Sequence, residues 1–350
     1  MSSLSCARHR HRACYPQRVV AASSITIMPN TTKPDDTFIH PELRQAVRYM
    51  PRPAPAAGPD RRSVRLTRLL VRLGAAGARP LPGVSTKDAH FSGPPGAPAV
   101  RVRLYRPPGL RPDAPALLWL HGGGYTMGTL GMDDRRCSEL ALEAGMLVVS
   151  VDYRLAPEHP FPAALEDGYA ALIGLTAQAG LLGIDPMRIA IGGASAGGGL
   201  AAALCQLAHD RQAARLAFQL LIYPMLDDRT GVAADPDEER RRVWGASDNR
   251  FGWAAYLGQD ADRANPPAYA SAARRADLSG LPPAWIGVGA LDLFHDEDVA
   301  YAARLRACGV GCETVVVPGA YHGFDVVAPK ADVVLTFKRD AFAALRHAFA

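Results

Sequence analysis

A serine flanked by small residues is the first candidate for chemistry in this chain of 350 residues. Ser195 stands in a G-x-S-x-G pattern, after a strand-like run at 188–192 and before an alanine- and leucine-rich helical run from 196 to 210. At such a sharp strand-to-helix turn, the serine hydroxyl is pushed out of the sheet and exposed. Glycine tolerates the unusual backbone dihedrals of the turn. The pattern therefore predicts a nucleophile, although a glycine-rich turn that happens to hold a serine would look the same.

A serine hydroxyl is a weak nucleophile and needs a general base beside it. His322 lies in a run with glycine on both sides after the last strand pattern, which predicts a loop at the carboxyl end of that strand. Asp292 has the equivalent position after the preceding strand pattern, where its carboxylate would fix the tautomer of the base. Three rival acids, Asp296, Glu297 and Asp298, lie where a helix begins, and there capping and dipole complementarity are their simpler role.

A glycine run after an earlier strand pattern offers backbone donors. Attack on a carbonyl leaves negative charge on its oxygen, and each N–H group aimed at that oxygen stabilises it by about 2.7–4 kcal/mol. Gly122, Gly123 and Gly124 directly follow the apolar run 117–120, and glycine leaves no side chain between its N–H and a substrate. The N–H of Ala196, next to the serine, is a further candidate. A flexible turn is the alternative. A phosphate-binding loop would require a G-K-[ST] or G-x-G-x-x-G pattern, and neither is present here.

Strand and helix patterns alternate from about residue 84 onwards. Strand patterns fall at 100–105, 116–120, 146–151, 189–191, 218–222, 285–288 and 314–317, and helical patterns at 135–144, 162–179, 196–212, 297–307 and 332–349. Several strand patterns are continuous apolar runs, which suit strands covered on both faces. The alternation predicts an α/β fold, with a mostly parallel sheet between helices, in which the early strands need not be parallel.

Two segments depart from this alternation. The interval 228–267 holds charges and aromatic side chains but no convincing strand, which indicates a helical insertion at the carboxyl end of the sheet. Residues 29–80 contain two amphipathic helical patterns, and the two segments together could form a cap over the site. We therefore divide the chain into a poorly ordered basic tail at 1–28, N-terminal cap helices at 29–80 and a catalytic domain at 81–350.

The second amphipathic pattern combines leucines with arginines. Its apolar stripe and its basic side consist of Leu66, Leu69, Leu70 and Leu73, and of Arg65, Arg68 and Arg72. We expect the leucines to pack on the main domain and the arginines to lie in water. Contact of this basic amphipathic helix with a membrane surface is the alternative.

Composition limits the remaining classes of function. The chain is 48% apolar and 21% charged, as globular proteins are, and no apolar run reaches the roughly 18 residues of a membrane span. Residues 1–30 contain four arginines and no acid, so they account for +4 of the net charge of +5. Because the rest of the chain is nearly neutral, we expect no nucleic-acid partner. Six cysteines without a second close pair predict no metal site and reduced thiols in the cytoplasm.

These motifs together resemble the bacterial hormone-sensitive lipase family of α/β-hydrolase esterases. The matching runs are His121–Gly124, Asp152–Glu158, Gly193–Gly198 and Tyr223–Pro224, followed by Asp292 and His322 in the order of that family's triad. The resemblance covers about residues 85–345, with a looser match in the N-terminal cap. It implies the α/β-hydrolase fold with a helical cap and an ester hydrolase that uses neither a metal nor an organic cofactor.

The resemblance also implies a role for each site residue. It implies that Ser195 is the nucleophile, His322 the base and Asp292 the partner of the base. It implies oxyanion donors at Gly123, Gly124 and Ala196, with Gly122 adjoining. One position departs from the family pattern, because Ala194 stands where the family often has an acidic residue or a threonine. A side-chain acceptor that could brace neighbouring loops is therefore absent.

The sequence thus predicts a serine carboxylesterase for short- to medium-chain esters. An amidase or peptidase on the same triad is the first alternative, because the pocket rather than the triad decides between esters and amides. A small-molecule receptor on a hydrolase scaffold is the second, and it would be favoured had Ser195 or His322 been replaced. The expected partner is a small ester substrate. The strand at 314–317 and the final helix could also form a homodimer edge, although burial against the chain's own sheet explains that helix equally well.

Overall fold

The computed structural model describes residues 36–47, 61–76, 79–233, 235–258 and 261–350. Within these ranges, eight strands form one sheet. The strands are β1 Ser85–Phe91, β2 Val100–Arg106, β3 Ala114–Leu120, β4 Leu147–Val151, β5 Ile184–Ala194, β6 Phe218–Ile222, β7 Ala284–Gly289 and β8 Cys312–Val317. Every strand pattern predicted from the sequence falls on an observed strand, whereas β1 was not predicted individually.

The order of the strands in the sheet is β1-β2-β4-β3-β5-β6-β7-β8. β1 and β2 pair in antiparallel fashion, as do β2 and β4. All pairs from β4 through β8 are parallel. The prediction of a mostly parallel sheet with exceptions among the early strands is therefore confirmed, and the carboxyl ends of β3, β5, β6, β7 and β8 share one edge of the sheet.

Helices cover both faces of this sheet. The α-helices of the described ranges are α1 Arg44–Val47, α2 Arg61–Ala76, α3 Asp134–Ala144, α4 Ala163–Ala177, α5 Ala179–Leu182, α6 Ala196–Arg211, α7 Ala246–Leu257, α8 His295–Ala307, α9 Phe324–Val327 and α10 Asp332–Ala348. One apolar core lies between the sheet and α4, α6 and α8, and a second lies between the sheet and α3 and α10. Strand β3 contributes side chains to both cores, because successive side chains of a strand point to opposite faces. Leu118 lies in the first core and Trp119 in the second.

The final helix packs on its own sheet. Leu345 is fully buried in the second core, and Phe342 and Phe349 pack against that core. Of the two explanations that the sequence left open for this helix, the structure therefore favours burial within the chain. None of the helices in the described ranges combines the length and apolar character that a bilayer crossing requires.

The first predicted amphipathic helix is short in the structure. A 3-10 turn at Pro41–Leu43 leads into α1, and Ile39, Leu43 and Val47 are buried in the second core. The backbone N–H of His40 donates to the carbonyl of Gly319, 2.9 Å away, on the loop that precedes His322. Residues 48–60, between this helix and α2, lie outside the described residues.

The expected orientation of α2 is wrong. The four leucines of its apolar stripe are between 53% and 63% exposed, whereas Val64 is buried on the opposite face. Arg68 also faces the domain: its Nε donates to the carbonyl of Thr126 at 2.6 Å and its Nη2 to the carbonyl of Ala156 at 2.5 Å. An arginine that satisfies exposed carbonyls anchors the helix, and the leucine stripe consequently faces away from the domain.

The interval 228–267 contains α7 and a 3-10 turn at Glu238–Arg240, with no strand in its described residues. Tyr256 and Trp253 of α7 are buried against Tyr125, whose ring stacks on Tyr256 at a centroid distance of 4.0 Å. The segment is also tied to the N-terminal segment, since Arg242 forms an ion pair with Asp36 at 2.6 Å. Both segments predicted to form a cap therefore contact each other and the loop that follows β3.

Candidate active site

Ser195 lies at the turn between β5 and α6, on the carboxyl edge of the sheet. Its backbone has φ 57° and ψ −125°, a conformation that costs a residue with a side chain on the order of 1–3 kcal/mol. Its N–H donates to the carbonyl of Ile222 at 2.9 Å, and its carbonyl accepts from the N–H groups of Gly199 and Met225, both at 3.0 Å. These bonds to the end of β6 and to the first turn of α6 hold the strained turn in place.

The neighbours of Ser195 are small because the backbone of another strand passes at contact distance. A Cβ on Gly197 would lie 2.1 Å from the carbonyl oxygen of Leu120, the last residue of β3. No side chain fits there, so the glycine lets α6 begin directly against the end of β3. Ala194 is buried in the second core, where its methyl group packs among apolar side chains.

The structure brings Ser195, His322 and Asp292 into one hydrogen-bonded chain. Asp292 Oδ2 lies 2.8 Å from His322 Nδ1, and His322 Nε2 lies 3.0 Å from Ser195 Oγ. An ionised carboxylate can only accept, so Nδ1–H donates to Asp292 and Nε2 accepts from the serine hydroxyl. All three residues are at least 94% buried, which limits competition from water for these bonds. The serine hydroxyl therefore lies against a base whose tautomer is fixed.

The rival acids lie elsewhere. Asp296 is fully exposed and contacts the ring of His295 at 2.7 Å. Glu297 is buried, and its carboxylate accepts from the N–H of Leu226 at 2.6 Å. Neither carboxylate oxygen of Asp298 has a hydrogen-bond partner among the described residues, and burial, with the charges of Glu297 and Asp292, raises its pKa well above the usual range. Of the four acids, Asp292 is the one that reaches His322.

Asp292 is held by its own loop and by an arginine from the interval 228–267. Its Oδ1 accepts from the N–H of Phe294 at 3.0 Å. Arg241 Nη1 donates to the backbone carbonyls of Leu291 and Asp292, both at 3.0 Å, and its Nε pairs with Asp235 at 2.7 Å. The arginine therefore fixes the loop that carries the acid. The sequence offered no signal for this contact, because about 50 residues separate the partners.

Aromatic rings enclose His322. Tyr223 and Phe294 contact its ring edge-on, with centroid distances of 4.7 Å and 5.2 Å. The Tyr223 hydroxyl donates to Asp325 Oδ1 at 2.6 Å, and Arg136 pairs with the other oxygen of the same carboxylate at 2.7 Å. Tyr223 is itself at φ 36°, so this buried network holds a strained residue against the imidazole. Tyr223 belongs to one of the motifs seen in the sequence, whereas no sequence pattern indicated Arg136 or Asp325.

The glycine run predicted as a donor loop follows β3 and faces the serine. A Cβ on Gly122 would lie 3.4 Å from the Cβ of Ser195. The carbonyl of Gly123 accepts from the N–H groups of Thr126 and Met127, which closes the loop into a tight turn. Ala196 is the first residue of α6, where the N–H groups have no partner within the helix. Gly122 and Ala196 therefore both lie next to Ser195.

His121 braces this loop from behind. Its ring is fully buried, stacks on Tyr153 at 4.2 Å, and has Nδ1 2.8 Å from the carbonyl oxygen of Gly122. Burial lowers the pKa of His121, so the ring is neutral and Nδ1–H donates to that carbonyl. The Tyr153 hydroxyl donates to the His121 carbonyl at 2.6 Å. The run that contains Tyr153 thus supports the loop structurally.

The Trp244 ring packs against the glycine run near His322. A Cβ on Gly124 would lie only 2.3 Å from the nearest atom of the Trp244 ring. The centroids of the Trp244 and His322 rings are 6.3 Å apart. Gly124 has φ 57°, a second reason for glycine at this position. The aromatic side chains of this interval are visible in the sequence, but no pattern placed one of them at the site. Among the described residues, no group of three or more His, Cys, Asp or Glu side chains is arranged to hold a metal ion.

Comparison with known proteins is consistent with this geometry. A family model described as the alpha/beta hydrolase fold matches residues 117–326, a span that includes Ser195, Asp292 and His322. The chain belongs to the hormone-sensitive lipase family of α/β hydrolases. It is a carboxylic ester hydrolase, as the sequence predicted, and its sheet and flanking helices are the α/β-hydrolase fold.

Several relatives of this esterase are named for ester hydrolysis. Carboxylesterase NlhH of Mycobacterium tuberculosis is 40% identical over 241 residues, which are 66% of this chain and 74% of the relative. An ethyl acetate hydrolase of Pseudomonas putida is 38% identical over 247 residues, or 69% and 74% of the two chains. A solved structure titled bacterial heroin esterase matches with a TM-score of 0.81 and 37% identity, covering 89% of this chain and 98% of the other.

Proposed function

We propose that Ser195, His322 and Asp292 are the catalytic residues of this esterase. Ser195 Oγ attacks the carbonyl carbon of the ester while His322 Nε2 takes its proton. Asp292 holds the imidazole in the required tautomer and stabilises the imidazolium. The observation that supports these roles is the hydrogen-bonded chain of 2.8 Å and 3.0 Å that ends on the serine hydroxyl.

Each later step of the reaction depends on a proton transfer by His322. The protonated His322 donates its proton to the leaving alcohol, and the acyl group stays on Ser195. His322 next takes a proton from water, which attacks the acyl-enzyme. As the second tetrahedral intermediate collapses, His322 returns that proton to Ser195 Oγ, so the acid product leaves with the serine hydroxyl restored. We propose oxyanion donors at the backbone N–H groups of Gly123, Gly124 and Ala196, with Gly122 adjoining.

Gly124→Ala tests the proposed donor loop. Its Cβ would lie 2.3 Å from the Trp244 ring, and the residue is at φ 57°. Because a shift of about 1 Å at a reacting centre costs about 10²-fold, we expect kcat for a short p-nitrophenyl ester to fall by about that factor. Gly109→Ala is the matched control, since Gly109 has φ 65° with nothing within 4 Å of its Cβ. Equal kcat values for the two variants would count against the donor loop.

We propose that substrates are esters with short or medium acyl chains. The large Trp244 ring beside Gly124 and His322 supports a confined site. The Pseudomonas putida relative is named for a short ester, ethyl acetate. An amidase or peptidase remains the alternative activity on the same residues.

A matched pair of substrates separates these activities. One butyryl group is supplied as its p-nitrophenyl ester and as its p-nitroanilide, and kcat/KM is measured for both. We expect the ester to react at least about 100-fold faster, which corresponds to a difference of about 2.7 kcal/mol in activation free energy. A faster anilide would identify an amidase.

We also propose that residues 29–80 and about 228–267 form the cap of a catalytic domain at 81–350. The ion pair between Asp36 and Arg242 and the contact of Trp244 with Gly124 support this division. The predicted tail at 1–28 lies outside the described residues.

We also propose a cytoplasmic location. Cys137, Cys205, Cys308 and Cys312 are free thiols, the form expected in the cytoplasm. A homodimer edge at β8 and the absence of a nucleic-acid partner stay predictions.

A further inference from the structure

The helix α2 carries an apolar stripe that the rest of the described chain leaves uncovered. Leu66, Leu69, Leu70 and Leu73 are 58%, 53%, 59% and 63% exposed. Single exposed leucines are ordinary, whereas four that share one face of a helix form a contiguous patch. Such a patch on a helix that is itself anchored to the domain marks an interaction surface.

The charged side chains of α2 itself have one sign. The sequence from 61 to 79 contains six arginines and no acidic residue. Arg65 and Arg72 are exposed in the structure. A second copy of this chain would bring the same arginines to the stripe, and like charges would then repel. An acidic surface is the complement that these side chains favour.

We propose that α2 docks this esterase on anionic phospholipid surfaces. The leucine stripe lies at the boundary between headgroups and acyl chains, and Arg65 and Arg72 contact lipid phosphates. A helix with a leucine stripe and arginines beside it can bind in the plane of such an interface. Apolar burial and attraction to anionic lipids both contribute to this binding.

The anchoring of α2 leaves the stripe free for this role. Arg68 points to the opposite face, where it bonds the carbonyls of Thr126 and Ala156 and pairs with Glu158 at 2.9 Å. The helix can therefore bind a surface without leaving the domain. The N–H of Thr126 donates to the carbonyl of Gly123 at 3.1 Å. The residue that anchors Arg68 is therefore in the same turn as the glycine run of the active site.

Co-sedimentation of the full chain with vesicles tests this proposal. The vesicles contain phosphatidylcholine alone or with about 30% phosphatidylglycerol, at low salt and at about 0.5 M NaCl. We expect binding to the anionic vesicles that weakens in salt. Leu69→Gln/Leu70→Gln should lower the partition coefficient at least about tenfold, and Arg65→Gln/Arg72→Gln about fivefold for each arginine.

Leu181→Gln is the matched control, since Leu181 on α5 is 88% exposed and remote in sequence; its partition coefficient should stay at the wild-type value. Circular dichroism and the unfolding midpoint check the fold of each variant. The arginine pair gives a second test if the leucine variant misfolds.

Three outcomes would overturn the proposal. The first is no binding to anionic vesicles at low salt. The second is binding that the leucine and arginine changes leave intact, because another part of the chain would then hold the lipid. The third is a dimer in light scattering that Leu69→Gln/Leu70→Gln dissociates, because a second copy would then cover the stripe. The binding measurement needs no catalysis, so it is independent of the roles proposed for the triad.

Discussion

Replacing Ser195 with alanine is expected to lower kcat for a short p-nitrophenyl ester by about 10⁴–10⁶-fold. Without Oγ there is no acyl-enzyme, and the residual rate depends on whatever the donors and His322 contribute to attack by water. The fold should be retained, since alanine keeps the Cβ and the three backbone hydrogen bonds that hold the turn. Kinetics on the purified variant, with circular dichroism as the check on folding, measure this effect.

Ser138→Ala is the matched control for this experiment. Ser138 is also a buried serine, but it lies on α3 and donates to the carbonyl of Asp134 at 2.7 Å. Its loss should affect stability and leave kcat near the wild-type value. A fluorophosphonate should label the wild type and Ser138→Ala at Ser195, and leave Ser195→Ala unlabelled. Turnover near the wild-type rate in Ser195→Ala would rule out the proposed nucleophile.

Replacing Asp292 with asparagine is expected to lower kcat by about 10⁴-fold. The asparagine amide can donate to His322 Nδ1, which leaves Nε2 protonated and unable to accept the serine proton. The position of the side chain should be retained. In the wild type, the N–H of Phe294 donates to Asp292 Oδ1 at 3.0 Å, and the side-chain carbonyl of asparagine can accept the same bond. The loss should therefore appear in kcat, with little change in KM for a small ester.

Asp296→Asn provides the comparison within the same loop and helix start. Asp296 is four residues away and fully exposed, so its charge is screened by water and its loss should leave kcat unchanged. Both variants remove one negative charge from the same region, which separates the position of the acid from net charge. A large loss in Asp296→Asn together with a small loss in Asp292→Asn would reassign the acid.

The leucine stripe of α2 shows where sequence patterns stop being informative. The spacing of the leucines correctly predicted a helix with two faces. It could not say which face meets the domain, because that depends on the partner surface. The carbonyls of Thr126 and Ala156 supply acceptors for Arg68, and an arginine stem covers apolar surface while its head is satisfied. The buried face is consequently the one with Val64 and Arg68.

The order and spacing of the motifs in the sequence were sufficient to predict the fold and to propose the triad. Each motif follows a strand pattern, and the carboxyl ends of parallel strands meet at one edge of a sheet, so Ser195, Asp292 and His322 had to converge there. The small residues around Ser195 were readable for the same reason, because a tight turn restricts which residues fit locally. These rules act over a few residues and need no knowledge of the rest of the chain.

Only the tertiary structure decided which acid faces His322. It also placed Arg241 on the loop of Asp292 and Trp244 over Gly124. Behind Tyr223 it brought together Arg136 and Asp325. Arg136 and Asp325 are 189 residues apart, and they meet because α3 and α9 pack on the same face of the sheet. Periodicity and turn chemistry describe a residue's immediate neighbours in the chain. Contacts between distant segments depend on strand order and on how side chains fill the space between elements, which no local pattern encodes.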